Sequence, residues 1–187
     1  MAVKPEEMVE IAKRFIGQET ELGPSPYSVE YEPIRRWCQM VEDDNPLFID
    51  PAYARKTTYG DVVCPSFALT IFGGPSPGYF PAPPPADNVL AGIPTTPGSS
   101  VLFLGSDWEF YKTVKVGDQL SVKSRLADYY IKAVRFDPKA RWVRIERIYY
   151  NQKGEKVAVN SMLHALRRSP EEVKEAGDAQ SVDGERK

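Results

Sequence analysis

Residues 42–48 read Glu-Asp-Asp-Asn-Pro-Leu-Phe, which places three carboxylates and a carboxamide at the close of a helical pattern. Such groups are the raw material of acid/base chemistry, in which one polar group orients a water and another moves its proton. Neighbouring side chains at a helix end fan out, so at most one or two of Glu42, Asp43 and Asp44 can address one cleft. Negative charge at a helix C-terminus opposes the macrodipole, so helix stability did not select it. The structural alternative is that Asp44 and Asn45 cap the turn into residues 46–52 while Glu42 is solvated. Phe48, at the end of the run, can neither accept nor donate a proton.

Other residues with chemical potential are few. His164 is the only imidazole, which excludes a metal site built on several histidines. It shares one face of the last predicted strand with Met162 and Leu166, where a packed or surface role outweighs a catalytic one. Cys38 and Cys64 lie in apolar patterns without metal-ligand spacing and read as reduced core residues. The 24 basic and 26 acidic side chains nearly cancel. No Lys/Arg block interleaves with aromatics, so nucleic acid is not an expected partner. No apolar run reaches the roughly 18 residues of a membrane span, and the acidic start MAVKPEEMVE is unlike a signal peptide. A cytoplasmic, soluble protein is expected.

These residues must be positioned by a single fold, since 187 residues suit one domain with a substantial core. Met8, Ile11, Ala12, Phe15 and Ile16 share one face of a helix over residues 6–16, with Gly17 as its stop. Residues 27–31 read as a strand. Glu32-Pro33 opens a second helix, with Ile34, Trp37, Cys38 and Val41 on its buried face, and Pro46 ends it. The stretch CPSFALTIFGG, 64–74, is apolar nearly all round, as expected of a helix buried inside the fold. N–H groups near Ser66 and Phe67 stand free at its start.

Residues 73–98 form a Pro/Gly loop. A segment this long without structure of its own reads either as a wall over a site, with Tyr79 and Phe80 lining it, or as a solvated excursion. Four strand patterns follow at 101–111, 119–134, 141–150 and 156–168, the last two joined by an NQKGE hairpin turn. Alternation is clearest at Leu102, Leu104, Trp108 and Phe110, and at Leu120, Val122 and Leu126. Residues 1–168 then make one α+β domain, a curved antiparallel sheet wrapped around one apolar helix. Residues 169–187 make a polar tail, read as a frayed helix followed by disorder.

The order of a helix, an Asp, Asn-Pro, an apolar residue and a buried helix after a Gly-Asp turn resembles the MaoC-like hydratase and dehydratase family. That family's signature runs Gly-Asp-x-Asn-Pro-apolar-His. EDDNPLF aligns with Asp43, Asn45, Pro46 and Leu47 in place and with Phe48 where the histidine stands. DPAYARKTTYGDVVCPSF and GSDWEFYKTVKVGDQLSV are similar to two further stretches of the family. The likeness covers about residues 7 to 168 and is nearest to the N-terminal-type MaoC domain, related to the dehydratase of fungal fatty-acid synthases.

The resemblance implies a hot-dog fold and a reaction in which water is added across, or lost to form, the double bond of a trans-2-enoyl thioester. It assigns Asp43 and Asn45 to a degenerate catalytic site. Phe48, Ser66, Phe67, Tyr79 and Phe80 fall to substrate binding, with the Ser66 or Phe67 N–H polarising the thioester carbonyl. No cofactor is implied. The expected substrate is an acyl-CoA or acyl-carrier thioester, and the expected partner is a second MaoC-like chain that supplies the competent site. Three alternatives stay open: a homodimer that uses Asp43 itself, a hot-dog thioesterase, and an acyl-thioester binding module without turnover.

Overall fold

A computed structural model describes residues 3–25, 27–72, 89–95 and 99–178. Helix α1 (Pro5–Ala12) leads to the edge strand β1 (Glu19–Pro24), then to helix α2 (Tyr31–Val41) and the short helices α3 (Pro46–Ile49) and α4 (Pro51–Ala54). A 3-10 turn (Ser66–Ala68) runs into α5 (Leu69–Phe72). Strands β2 (Ser100–Phe110), β3 (Ser121–Ile131), β4 (Arg141–Tyr150) and β5 (Lys156–Arg167) follow, then helix α6 (Pro170–Glu175). The five strands form one antiparallel sheet in the order β1-β3-β4-β5-β2. All four predicted long strands form, as expected from their β-branched and aromatic content.

Two apolar clusters cover one face of the sheet. The first gathers Ile34 and Cys38 of α2, Ala68, Leu69 and Phe72 of the central helix, and Leu120, Val122, Tyr149 and Val157 from the sheet side. The second seats Met8 and Ala12 of α1 on Leu126, Tyr129, Val143 and Leu166. The described end of the Pro/Gly loop joins the second cluster through Val89, Leu90 and Ile93. Gly92 lets that end approach closely, because a Cβ there would stand 2.3 Å from the Phe15 ring. The stretch 89–95 is therefore docked rather than solvated. Gly17, with φ of +84°, stops the turn after α1, and its N–H donates to the Leu126 carbonyl.

Four expectations need correction. The strand expected at 27–31 lies earlier, at β1; Val29 does meet the 117–118 turn through two backbone hydrogen bonds, but Tyr31 already opens α2. In α2 only Ile34 and Cys38 are fully buried, while Trp37 is half-covered and Val41 exposed, because the helix lies on the surface of the first cluster. The central helix is buried on one side alone. Ala68, Leu69 and Phe72 face the core, whereas Phe67, at 59% exposure, Thr70 and Ile71 face outward, since the chain's own sheet covers a single side. Finally, α6 is not frayed: Ser169 and Glu172 form a reciprocal capping box. Arg168, at the end of β5, binds both Asp137 and Asp178, which ties the segment after α6 to the domain.

Candidate functional site

The Glu42–Phe48 stretch is organised by its own polar side chains. Glu42 ends α2 in the left-handed region, at φ of 58°, and the Glu42 and Asp43 N–H groups both donate to the Cys38 carbonyl. Asp43 Oδ1 accepts from the Asn45 N–H at 3.1 Å, and Asn45 Oδ1 accepts from the Leu47 N–H at 3.0 Å, capping α3. Asp50 repeats the device for α4. The caps thus fall to Asp43 and Asn45, not to Asp44. The Asp/Asn/Pro spacing serves local structure first: each acceptor satisfies an N–H that the helix start leaves free.

Asp43 is half-buried and lines a cleft of about 480 Å³ with Arg35, Cys38, Gln39, Glu42, Asp44 and Ile49. Asn45 is exposed. Phe48 does not enter that cleft; it packs with Leu47 and Ile49 against the first cluster, and the Tyr31 hydroxyl holds the end of α3 by donating to the Ile49 carbonyl at 2.6 Å. Burial and then the charge of Asp43 push the Cys38 thiol pKa up, and burial raises Cys64 to about 12. Both thiols stay protonated near neutrality, in keeping with core roles.

The start of the central helix is fixed from the other side. The Cys64 N–H donates to the Val114 carbonyl at 2.8 Å and the Val116 N–H to the Val62 carbonyl at 3.0 Å, so residues 62–64 pair with 114–116. Beyond Pro65 no acceptor among the described residues takes the N–H of Ser66 or Phe67. Ser66 lines a groove of about 240 Å³ with Val63, Cys64, Leu69 and residues 110–114. Phe67 meets Trp108 and Phe110 edge-on, at 6.1 and 6.4 Å between ring centres, and Trp108 stacks on Phe110 and on Tyr149.

Asp43, Asn45 and Phe48 thus share one loop and helix, and Ser66 and Phe67 share another. The Asp43 cleft and the Ser66 groove have no lining residue in common. Tyr79 and Phe80 lie outside the described residues. Sequence reasoning placed Trp108 and Phe110 on a strand face but not around Phe67, a contact between positions about forty residues apart. His164 is half-buried at 5.5 Å from the Phe103 ring, and burial, followed by the charge of Arg147, lowers its pKa. Among the described residues there is no cluster of His, Cys, Asp and Glu fit to hold a metal, and no helix long and apolar enough to cross a membrane.

Comparison with known proteins places this architecture. Residues 14–160 match the family described as "FAS1-like, dehydratase domain region". A "Probable enoyl-CoA hydratase alpha subunit" of Thermomonospora curvata is 26% identical over 150 residues, covering 75% of this chain and 44% of that protein. A "UPF0336 protein" of Thermobifida fusca is 40% identical over 55 residues, 29% of this chain and 36% of that protein. The chain therefore spans less than half the length of these curated relatives.

Among solved structures, the ChsH1-ChsH2 complex of Mycobacterium tuberculosis superimposes with a TM-score of 0.73 at 15% identity, over 87% of this chain and 97% of that one. The C-terminally truncated HadBC (3R-hydroxyacyl-ACP dehydratase) complex of the same organism gives 0.61 at 18% identity, over 81% and 96%. The chain belongs to the FAS1-like dehydratase region family and has the hot-dog fold of the MaoC-like dehydratases.

Proposed function

We propose that this chain is the acyl-accommodating, catalytically degenerate subunit of an enoyl-thioester hydratase or 3-hydroxyacyl dehydratase, and that a second MaoC-like chain supplies the competent Asp and His. The observation that carries this reading is Phe48. In the position where the family signature has a histidine, the chain presents a phenyl ring packed on its own core. A water held by Asp43 would find no second proton-transfer group there. Asp43 also has one oxygen committed to the Asn45 N–H.

The uncovered edge of the sheet supports the partner. Strand β2 is eleven residues long, among the described residues it pairs with β5 alone, and Val101 and Phe103 are 62% and 61% exposed. Leu102, Leu104 and Phe110 are exposed beside them, as are Phe67 and Ile71 of the central helix. A long apolar edge strand is an association surface unless another chain covers it. The printed names of the relatives, a hydratase alpha subunit and two-component complexes, fit a subunit role. In this assembly the free N–H groups of Ser66 and Phe67 would hold the thioester carbonyl.

The reading is tested by expressing the chain alone and together with a MaoC-like chain encoded nearby. Enoyl-CoA hydration is followed by loss of absorbance, and the same samples are sized by gel filtration. Activity confined to a co-eluting complex is the expected result. Activity of the chain alone, lost on Asp43→Ala, would instead support catalysis by a homodimer through Asp43.

A further inference from the structure

Where its two apolar clusters meet, the covered face of the sheet carries polar side chains among apolar ones. Directly opposed residues share a face, and the pairing puts Ser124, Arg147, Asn160 and Trp108 in one row across β3, β4, β5 and β2. The next row is Leu126, Ile145, Met162 and Ser106, and the one after it is Tyr129, Val143, His164 and Phe103. Beyond the ends of this stretch Tyr149, Ala158 and Leu166 are buried. Inside it Ile145, Arg147, Met162 and His164 are only half-buried, which leaves a trough with an apolar floor.

Buried polar atoms flank that floor. Asn160 Oδ1 and the Tyr149 hydroxyl lie toward the central helix, and His164 Nδ1 and the Tyr129 hydroxyl toward α1; Asn160 Oδ1 and His164 Nδ1 have no hydrogen-bond partner among the described residues, whereas the Tyr149 and Tyr129 hydroxyls have the guanidinium groups of Arg147 and Arg141 beside them. Asn160 is 5% exposed. Native interiors keep few such groups, because each leaves its desolvation uncompensated. These stand on one face of one sheet, at positions where strand alternation calls for apolar side chains. Arg147 is close enough for its charge to act on both Tyr149 and His164. Burial and that charge favour the neutral imidazole, so near neutral pH its Nδ1 offers a hydrogen bond rather than a charge.

We propose that this trough receives an acyl group carrying a hydroxyl on its apolar body, away from the thioester, with the hydroxyl donating to Asn160 Oδ1 and accepting from the Tyr149 hydroxyl. The chemistry selects a hydroxyl. An unpaired carbonyl oxygen needs a donor, which a ketone or an ether does not provide, and a carboxylate would set a negative charge against it. The apolar floor of Ile145 and Met162 suits the rest of the chain. Asn160 pairs across the sheet with Trp108, whose ring meets Phe67, so the polar row begins one strand from the helix start that would hold the thioester. The inference rests on the acyl-thioester reading of the chain.

The test is a calorimetric titration of the full chain, and of its co-eluting complex, with palmitoyl-CoA and with hydroxypalmitoyl-CoA thioesters that carry the hydroxyl at successive positions. At least one hydroxylated isomer is expected to bind roughly tenfold tighter than palmitoyl-CoA, the worth of satisfying a buried acceptor. Asn160→Leu should erase that preference while leaving the melting temperature unchanged or raised, with Asn160→Val serving should the leucine variant not fold. Equal binding of all the thioesters to the wild type overturns this inference and leaves the acyl-binding reading standing. Binding of none of them overturns both. A preference that survives in the Asn160 variants overturns the assignment to this trough.

Discussion

The corner at Asp137 and the row at Asn160 are both buried polar regions of one sheet, yet they are built in opposite ways. Asp137 is fully buried and its carboxylate accepts from the Arg168 backbone and side chain and from the Lys139 N–H. Arg168 reaches on to Asp178, which Lys139 also binds, and Lys139 takes Glu6 as well. Each of these five charges has a partner within the chain. Asn160 and His164 keep atoms without one among the described residues. A closed network of this kind locks α1, the β3–β4 connection and α6 together, whereas an open one is what a surface awaiting a ligand retains.

The largest predicted effect strikes the closed corner. Asp137→Ala removes the fully buried partner of the Arg168 guanidinium, leaving it Asp178 alone, and is expected to cost about 3 kcal/mol in urea unfolding. If Asn160→Leu costs as much, the contrast between the two regions fails; it should stay within about 1 kcal/mol of wild type, since removing an unsatisfied group relieves its desolvation.

Acid sharpens the same contrast. Burial acts to raise the Asp137 pKa, but the hydrogen bonds from Arg168 and Lys139 outweigh it and hold the carboxyl below its ordinary value. A depressed folded pKa contributes stability that is complete above the unfolded value, near 3.9, and is lost as pH falls through the folded one. Stability should therefore fall below about pH 4. Asp137→Asn should flatten that acid limb, measured as unfolding midpoint against pH.

A smaller effect is expected at the other polar segment. Asn45→Ala removes the α3 cap and should cost about 1 kcal/mol by thermal unfolding. If this loss comes without any change in the activity of the complex, then Asn45 is a cap alone.

The smallest stability effect belongs to β2. Phe103→Lys, on an exposed edge, should change the monomer's stability by less than about 0.5 kcal/mol while abolishing association in gel filtration with light scattering. β3 has the same length, but its inward residues Val122, Ser124 and Leu126 are buried within the chain. What separates the two strands is whether their cover is supplied in cis.

Much of the fold was legible. Period-two patterns located β2 to β5 because β-branched and aromatic residues crowd those segments. The helix limits were legible only roughly: α1 closes at Ala12, before the turn that Gly17 ends, and α2 closes at Val41 on a left-handed Glu42, so that Pro46 opens α3 instead of ending α2. The strand at Glu19–Pro24 was missed because an edge strand reading ETELGP, with a single large apolar residue, carries little hydrophobic signal. Of the candidate site, the cap by Asn45 was legible in the spacing, whereas the neighbouring cap expected of Asp44 is made by Asp43, because which of two adjacent carboxylates turns back to the chain depends on how α2 ends.

What the sequence determined by itself was local. Backbone sterics, caps and alternation fix each element within its own few residues, and the residue type at position 48 decides that no imidazole stands there. What only the tertiary structure decided was non-local: that Phe67 meets Trp108 and that β2 and the outer side of the central helix remain uncovered. The register that gathers Arg147, Asn160 and His164 on one face is of the same kind. Those outcomes depend on pairing between strands far apart in the chain, and a one-residue slip would have turned every one of those side chains to the opposite face.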